Sequence, residues 1–231
     1  MNRPFHRIFA DNTSSRSVAT RLRRRRFRLV LDLLADLPGP IAVLDVGGRQ
    51  AYWDSVLPAE APIATRLTIT LLNLEPLAVS RPGMTAVVGD ARSLVRYREN
   101  QFDLVFSNSM IEHVETFEEQ RQIAAEIRRV GRRYCVQTPN RYFPIEPHFL
   151  FPGFQFLPLA ARVALVRRFR LGWCPRLPDA EQARACVQSI RLLTRREVRS
   201  LFPEAVLYQE RFLGWVKSFV AYTEDTHRTP G

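Results

Sequence analysis

Long apolar runs are missing from this chain of 231 residues. A membrane-spanning helix needs roughly 18 or more consecutive apolar residues, and no segment of the sequence reaches that length. The first apolar segment follows an arginine-rich stretch at 21–28 and is interrupted by Asp32, Asp36 and Pro38, unlike the core of a signal peptide. We therefore expect neither a membrane-spanning helix nor a signal peptide.

Cysteine is also scarce. The three cysteines, Cys135, Cys174 and Cys186, lie far apart and form no Cys-x-x-Cys pair. This spacing indicates neither a disulfide framework nor a zinc site, so no metal is predicted. An odd number of free thiols suits a reducing compartment. The predicted location is the cytoplasm, with peripheral association at a membrane surface as an alternative.

Lysine is nearly absent. Of the 34 basic residues, Lys217 is a lysine and the other 33 are arginines. The formal net charge of +11 favours anionic partners such as nucleic acid, acidic lipid headgroups or a phosphorylated substrate. Most of this charge is nevertheless expected to be solvated surface. The length and the hydrophobic content of 46% fit one globular domain, 1–231.

Apolar strand-like runs alternate with helical patterns in the first 138 residues. In the first helix, Phe27, Val30, Leu31 and Leu34 form one apolar face, and its arginines are expected on the exposed side. Such alternation predicts an α/β fold with a doubly wound, mostly parallel sheet. The predicted strands are 41–45, 66–74, 84–88, 102–107 and 133–138, and the predicted helices are 17–36, 50–57, 91–98 and 116–130.

The pattern changes after residue 138. The segment 139–190 is rich in proline and aromatic residues, which predicts an inserted lid with one helix near 158–170. A helix at 194–202 follows, and Thr194 with Glu197 forms a capping-box pattern at its start. Two strands, 205–212 and 216–222, predict a C-terminal antiparallel hairpin. The domain thus divides into a basic helical segment (1–40, with 1–16 loosely attached), a cofactor-binding half (41–138), the lid (139–190) and a closing segment (191–231).

The segment 41–48 ends a predicted strand with Asp45 and then turns through Gly47 and Gly48. A strand that leads directly into a glycine turn brings bare backbone close to a ligand, as in nucleotide-binding α/β folds. Further polar residues follow the other strands at similar places. They are Asn73, Glu75, Asp90 and Asn108.

Taken together, these stretches resemble the class I S-adenosylmethionine-dependent methyltransferases, in particular the small-molecule branch of the type 11 kind. The resemblance implies a Rossmann-like methyltransferase fold and S-adenosyl-L-methionine as the cofactor. It rests on VLDVGG (43–48), LLNLEP (71–76), VVGDAR (87–92), QFDLVFSNSMIEHV (101–114) and YCVQTPNRYFPIEPH (134–148).

In this family the acid of the first strand orients the glycine turn and the methionine amine, a role that falls to Asp45. Gly47 and Gly48 would admit the methionine tail. The family carries further glycines where this chain has Arg49 and Ala51. The resemblance therefore requires the Arg49 side chain to point away from the tail.

The ribose diol is expected to bind an acid after the second strand. Asn73 occupies the register of that acid, and Glu75 would share its face if the strand continued that far. We favour Glu75 because a carboxylate accepts from both hydroxyls with charge assistance. By resemblance, Asp90 takes the adenine amino group, and the backbone N–H of Ala91 meets a ring nitrogen.

Asp90 and Asn108 have further expected roles. Asp90 would also suit the N-cap of a helix at 91–98, and both roles are compatible. Asn108 ends the fourth strand, which places it beside the sulfonium and the acceptor by resemblance. Ser109 and Met110 stand where base-amine and amide methyltransferases have prolines, which argues against methylation of adenine or glutamine.

The candidates for acid–base catalysis are Glu112, His113, Glu146 and His148. They follow the fourth and fifth strands, so the loops that carry them should meet at one edge of the sheet. A hydroxyl acceptor needs a base, and histidine titrates nearest to neutrality. Alternatively, His113 packs at a helix start and Glu146 only orients its loop.

We therefore expect an enzyme that transfers a methyl group to an oxygen, nitrogen or carbon of a small or lipid-like metabolite. A nicotinamide-dependent dehydrogenase is disfavoured, because Gly-x-Gly-x-x-Gly is missing. A non-catalytic binding module on the same fold is an alternative, as is an RNA methyltransferase. Nucleic acid is disfavoured because the sequence shows no added RNA-binding domain.

Overall fold

A seven-stranded sheet organises the computed structural model, which describes residues 18–58 and 61–223 and the side chains from Arg23 onward. The strands are β1 (Ile41–Val46), β2 (Leu67–Asn73), β3 (Met84–Val88), β4 (Phe102–Asn108), β5 (Gly131–Pro139), β6 (Ile145–Glu146), β7 (Phe151–Pro152), β8 (Val206–Phe212) and β9 (Trp215–Tyr222). The helices are α1 (Val18–Leu34), α2 (Gln50–Val56), α3 (Phe117–Val130), α4 (Leu159–Arg168), α5 (Ala180–Gln188) and α6 (Arg195–Leu201).

The sheet order is β3-β2-β1-β4-β5-β9-β8. Strands β1 to β5 run parallel, and β9 joins β5 in the antiparallel sense. Helices α1 and α2 cover one face through residues such as Phe27 and Trp53, and α3 and α6 cover the other through residues such as Ile127 and Val198. Because the central strands are buried on both faces, they read as apolar runs. The predicted doubly wound sheet is confirmed.

The amphipathic face of α1 differs by one residue from the prediction. Phe27, Val30 and Leu34 are buried as expected, but Leu33 is buried in place of Leu31, which is only half-buried. The arginines are not all on the exposed side either, since Arg26 is buried. The helix thus presents a wider face to the sheet than the heptad-like spacing indicated. The segment 1–16 lies outside the described residues.

The prediction of a helix at 91–98 is wrong. This segment forms turns, and its backbone groups are satisfied by side chains of α3 instead of by helical hydrogen bonds. The Glu126 carboxylate accepts from the N–H of Leu94, and the Arg129 guanidinium donates to the carbonyls of Leu94 and Tyr97. Asp90 therefore does not cap a helix. Its Oδ1 atom accepts from the backbone N–H of Arg92 at 2.8 Å and stabilises the turn that begins there.

The lid contains more structure than the single predicted helix. Helix α4 is present, but α5 was missed, and β6 pairs with β7 in a separate two-stranded sheet. The two helices and the chain before them enclose a small core of their own. It includes Phe149, Phe154, Val166, Ala183 and Val187.

The closing segment agrees with its prediction. Helix α6 begins after Thr194, whose hydroxyl accepts from the N–H of Glu197 while the Glu197 carboxylate accepts from the N–H of Thr194. Strands β8 and β9 form an antiparallel hairpin. Within the described part of the chain, no helix combines the length and the apolar character needed to cross a membrane.

A buried ion pair joins α1 to this hairpin. Arg26 Nη2 lies 2.7 Å from Glu210 Oε2, and the exposed fractions of the two side chains are 9% and 2%. The Ser218 hydroxyl also donates to the Glu210 carboxylate. The pair therefore ties the first described helix to the last two strands.

Replacing Glu210 by alanine should leave the Arg26 guanidinium buried without its carboxylate. We expect the free energy of unfolding to fall by about 3–5 kcal/mol, as is typical when one partner of a buried pair is removed. Urea denaturation followed by circular dichroism measures this change. The control is Glu118→Ala, because the Glu118–Arg121 pair is more than half exposed and should contribute at most about 1 kcal/mol. Equal effects of the two substitutions would contradict the assigned role of Arg26.

Candidate functional site

The turn after β1 is built around the carboxyl group of Asp45. A Cβ atom at Gly48 would lie 1.8 Å from Asp45 Oδ2, so any side chain at position 48 would collide with this carboxyl group. Gly47 has a φ of 77°, a conformation that favours glycine. Both glycines of the motif are therefore required by the local geometry, one for space and one for its backbone conformation.

Asp45 itself is almost completely buried. Its Oδ2 atom accepts a hydrogen bond from Trp53 Nε1 at 2.7 Å, whereas the buried Oδ1 atom has no hydrogen-bond partner among the described residues. Burial raises the pKa of Asp45 to about 7, and the bond from Trp53 opposes this shift only in part. A buried carboxylate with one unused oxygen is suited to a cationic ligand group.

The departure at Arg49 does not obstruct this turn. Arg49 is the N-cap residue of α2, its backbone is extended, and the residue is exposed. Exposure of the side chain agrees with the requirement that it point away from the methionine tail. Helix α2 then carries Trp53, the hydrogen-bond donor to Asp45.

Asn73 and Glu75 differ sharply in their surroundings. Asn73 Nδ2 donates to the carbonyl oxygen of Gly48 at 2.8 Å, so Asn73 supports the glycine turn. Strand β2 ends at Asn73, and Glu75 is exposed in the bend that follows. The argument that Glu75 shares the face of Asn73 on a continuing strand is therefore wrong. Its binding of the ribose remains a prediction that depends on the loop alone.

At the end of β3, Asp90 is held by the guanidinium group of Arg92. The Asp90 carboxylate receives hydrogen bonds from Arg92 Nε and Nη2, and these side-chain bonds lower its pKa. Both side chains are about two-fifths exposed. Asp90 and Ala91 thus lie at the predicted edge, and an adenine amino group would compete with Arg92 for the carboxylate.

Asn108 is the last residue of β4, and its side chain is held by Arg26 of α1. Its side-chain oxygen accepts from the Arg26 guanidinium, which also donates to Gln137 Oε1 at 3.2 Å. The Ser109 hydroxyl donates to the same Gln137 oxygen at 2.8 Å. The loop after β4 therefore starts from a rigid, buried polar network.

The same loop covers the glycine turn. A Cβ atom at Gly47 would lie 2.4 Å from Met110 Cγ, so the two segments are in direct contact. Glu112 and His113 follow Met110 by two and three residues. Two of the acid–base candidates therefore lie on the loop whose Met110 contacts the glycine turn.

Glu112 is fully buried behind this loop. Its Oε2 atom accepts from Thr138 Oγ1 at 3.1 Å, and its Oε1 atom has no hydrogen-bond partner in the described part of the chain. Burial raises the pKa of Glu112 to about 7. Thr138 is the penultimate residue of β5, so this bond links the loop after β4 to the end of β5.

Glu146 and His148 form a dyad in the loop after β5. Glu146 Oε1 lies 2.7 Å from His148 Nδ1, and Glu146 Oε2 accepts from the N–H groups of His148 and Phe149. Although burial opposes it, the hydrogen bond to Glu146 and the nearby negative charges raise the pKa of His148. The imidazole is therefore oriented by a carboxylate that is itself fixed by the backbone.

All four predicted acid–base residues meet at one place. The rings of His113 and His148 are 4.8 Å apart, centroid to centroid, in an edge-to-face arrangement. His113 keeps part of its ring in solvent, yet its pKa is lowered by desolvation and by His148. One potential ligand atom from each of Glu112, His113 and His148 lies within 4.8 Å of the others, a donor set that a divalent metal could use.

Several residues of this site gave no signal in the sequence. Trp53 and Thr138 orient Asp45 and Glu112, but nothing in their spacing connects them with those acids. Arg26 was one arginine among many in a helix that looked exposed. Arg26 directly precedes Phe27 and lies one helical turn before Val30, and both of these residues are buried. This position is the one feature of the sequence that indicates burial of Arg26.

Residues 44–134 match the family model described as the methyltransferase domain. This part of the chain is therefore similar to a methyltransferase domain. This match supports the resemblance. In the turn, Asp45 Oδ1 is a buried acceptor without a hydrogen-bond partner among the described residues. The positions that a Cβ atom would take at Gly47 and Gly48 are filled by Met110 and by the Asp45 carboxyl group, so binding of the methionine tail at this turn stays a prediction.

Uncharacterised proteins from two strains of Mycobacterium tuberculosis are 29% identical to this chain over 136 residues. The alignment covers 56% of this chain and 46% of each relative, so the chain spans about half the length of the curated relatives it matches.

Solved structures agree on the fold. An S-adenosylmethionine-dependent methyltransferase from Methanosarcina mazei is 11% identical, with a TM-score of 0.52 and coverage of 83% of this chain and 95% of that chain. The CurJ carbon methyltransferase is 10% identical, with a TM-score of 0.53 and coverage of 88% and 56%. At these identities the similarity concerns the fold alone.

The buried state of Asp45 predicts a pH-dependent stability. Because its pKa is raised to about 7, the folded chain retains a proton that the unfolded chain releases near pH 4. The stabilising contribution is therefore full below about pH 4 and declines as the pH rises toward 7. Asp45→Asn keeps an acceptor for Trp53 but does not ionise.

We expect Asp45→Asn to be more stable than the wild type at about pH 8, by on the order of 1–4 kcal/mol, and nearly equal to it close to pH 4. Urea denaturation of both proteins across this pH range, without cofactor, measures the difference. Glu112 titrates in the same window but is present in both proteins. A difference that did not change with pH would contradict the raised pKa of Asp45.

Proposed function

We propose that this protein transfers a methyl group from S-adenosylmethionine to a hydroxyl or another nucleophilic group of a small or lipid-like metabolite. The observation that carries the proposal is the position of the Glu146–His148 dyad. The dyad adjoins Glu112 and His113 on the loop whose Met110 contacts Gly47 of the cofactor turn. A proton acceptor and the predicted cofactor site are therefore neighbours.

S-adenosylmethionine, when bound, supplies a methyl group on a sulfonium that leaves as a neutral thioether. The task of the chain is then to hold two reactants in line and to accept a proton. Alignment alone can supply about 7–11 kcal/mol in the best cases. The rigid network of Arg26, Asn108 and Gln137 below the loop supports such positioning.

The hydrogen bonds of Glu146 favour His148 as the base. Glu146 Oε2 accepts from two backbone N–H groups, which leaves Oε1 to face Nδ1 of His148. An ionised carboxylate only accepts hydrogen bonds, so Nδ1 of His148 must carry the proton shared with it. In the neutral imidazole the lone pair is then on Nε2, which can take the proton of an attacking hydroxyl.

The lid would complete the site by excluding water. Phe149 and Phe154 stack at 4.1 Å between ring centroids, directly after the dyad in the chain. Their rings suit an acceptor with an apolar body. The missing prolines at Ser109 and Met110 are in keeping with a hydroxyl acceptor over a base amine.

Cofactor binding is the first test, because it separates the enzyme from its rivals. S-adenosylhomocysteine at roughly 100 times its dissociation constant should add about 2.7 kcal/mol of stability, seen as a thermal shift, and NADH should give none. A shift with NADH alone would indicate a dehydrogenase. No shift with either ligand would indicate a module that does not use this cofactor.

The ribose partner is tested by two substitutions. Glu75→Gln removes charge but keeps shape, so affinity for S-adenosylhomocysteine should fall by about tenfold or more if Glu75 holds the diol. Asn73→Asp should then be neutral or harmful, since it also removes the amide donor to Gly48. Calorimetry measures both. Tighter binding by Asn73→Asp with no effect of Glu75→Gln would assign the ribose to position 73.

Catalysis is tested with methyl-labelled S-adenosylmethionine and a metabolite extract, in which mass spectrometry identifies products that gain one labelled methyl group. His148→Gln should lower the rate by about 10²–10⁴ while affinity for S-adenosylhomocysteine stays unchanged. Glu146→Gln should lower it less, because the ring loses orientation but keeps its nitrogen.

A matched control and a metal arm make this test decisive. Ser189→Ala lies outside the cluster, where its hydroxyl donates to the Cys186 carbonyl, and should leave the rate unchanged. Chelation with EDTA should also have no effect if His148 acts as a base. Loss of activity on chelation, restored by zinc, would reassign Glu112, His113 and His148 to metal binding. Labelled RNA as the main product would replace the small-molecule acceptor.

A further inference from the structure

A cavity of about 380 Å³ lies beneath the lid and reaches the catalytic dyad. Glu146, the partner of His148, forms part of its wall. The apolar part of the wall includes Phe149, Phe154 and Leu159. The volume falls within the range of small-molecule sites, and Glu146 connects the cavity to the proposed base His148.

Two arginines line this cavity without a carboxylate partner among the described residues. They are Arg141, from the loop after β5, and Arg162, from α4. The Nε atom of Arg162 is buried and makes no hydrogen bond within the described part of the chain. Desolvation lowers the pKa of Arg162, and the positive charge of Arg141 lowers it further.

Two carboxylates also lie in this wall. Glu146 accepts hydrogen bonds from the N–H groups of His148 and Phe149 and from His148 Nδ1, and Glu115 is exposed to solvent. A third arginine of the wall, Arg191, is paired with Glu197. Arg141 and Arg162 are therefore the arginines of the wall for which the described residues provide no ion pair.

We infer that the methyl acceptor is an organic anion, whose carboxylate or phosphate group binds Arg141 and Arg162 while its apolar body packs on Phe149 and Phe154. This inference rests on the proposed methyl transfer only for the reaction, because binding of the anion can be measured without catalysis. Guanidinium groups bind both oxyanions through paired N–H donors. The anionic group would thus anchor one end of the acceptor in the cavity whose wall includes Glu146, the partner of the proposed base.

A structural role would give these arginines partners. Elsewhere in the chain, buried or half-buried arginines are paired in that way: Arg26 with Glu210, and Arg129 with Glu126. Arg162 instead has a buried, unused donor, and desolvation and the like charge of Arg141 lower its pKa more than the charge of Glu146 raises it, an arrangement that destabilises the ligand-free protein. Such local destabilisation is common where a site is shaped for a ligand.

The experiment uses the full chain saturated with S-adenosylhomocysteine and three matched phenols. They are 4-hydroxybenzoate, 4-hydroxyphenyl phosphate and the neutral 4-hydroxybenzamide. Calorimetry should show that at least one anion binds about tenfold or more tightly than the amide, and the stronger of the two identifies the oxyanion. Equal affinities for the three phenols, or binding of none of them, would overturn the inference.

Arg162→Met keeps the apolar stem but removes the charge. It should weaken anion binding to the level of the amide and raise the melting temperature of the ligand-free protein. The control is Arg168→Met, the same change on the same helix at an exposed residue outside the cavity wall, and it should change neither value. If Arg162→Met lowers the melting temperature, or if Arg168→Met weakens binding equally, the inference fails.

Cofactor binding is measured separately in every variant. Should S-adenosylhomocysteine bind normally while the anions show no preference, the anionic acceptor is excluded and the methyltransferase proposal stands. A protein that binds neither the cofactor nor the anions contradicts both.

Discussion

The buried carboxyl group of Asp45 is the constraint on which the cofactor side of the site depends. It occupies the space that a side chain at position 48 would need, so the turn must contain glycine there. Trp53 of α2 fixes one of its oxygens, and Asn73 of β2 holds the carbonyl of Gly48. Strand β1, helix α2 and strand β2 are thereby linked around one acid. The Oδ1 atom of Asp45 has no partner among the described residues.

A second buried network plays the same part for the acceptor side. Arg26 reaches from α1 through the interior to Glu210 of the closing hairpin, and its other nitrogen binds Asn108 at the end of β4. The loop with Glu112 and His113 therefore leaves the sheet from a fixed point. This explains why a helix before the sheet and a hairpin after it both bear on the geometry of the central site.

The cluster of acid–base candidates combines two loops that are distant in the sequence. Thr138 binds Glu112 across the ends of β5 and β4, and the ring of His148 contacts that of His113. The lid then adds a cavity whose wall includes Glu146, Arg141 and Arg162. The dyad and this cavity share Glu146, although no single element of the chain builds both.

Outside 91–98 and the lid, the sequence by itself determined the order of strands and helices, because buried parallel strands and amphipathic helices have distinct apolar periods. It also located Asp45, Asn73, Asp90 and Asn108 at one edge, since the carboxyl ends of parallel strands meet there. The capping box at Thr194 was readable because it is a contact between residues three positions apart.

Tertiary contacts decided the rest. The segment 91–98 is not helical because Glu126 and Arg129, some thirty positions away, bind its backbone, and such long-range competition leaves no local pattern. Glu75 does not share a strand face with Asn73, because β2 ends at Asn73, earlier than its apolar run indicated. The burial of Arg26 and the unpaired state of Arg162 depend on which charges the folded chain brings near them, and a linear sequence does not contain those distances.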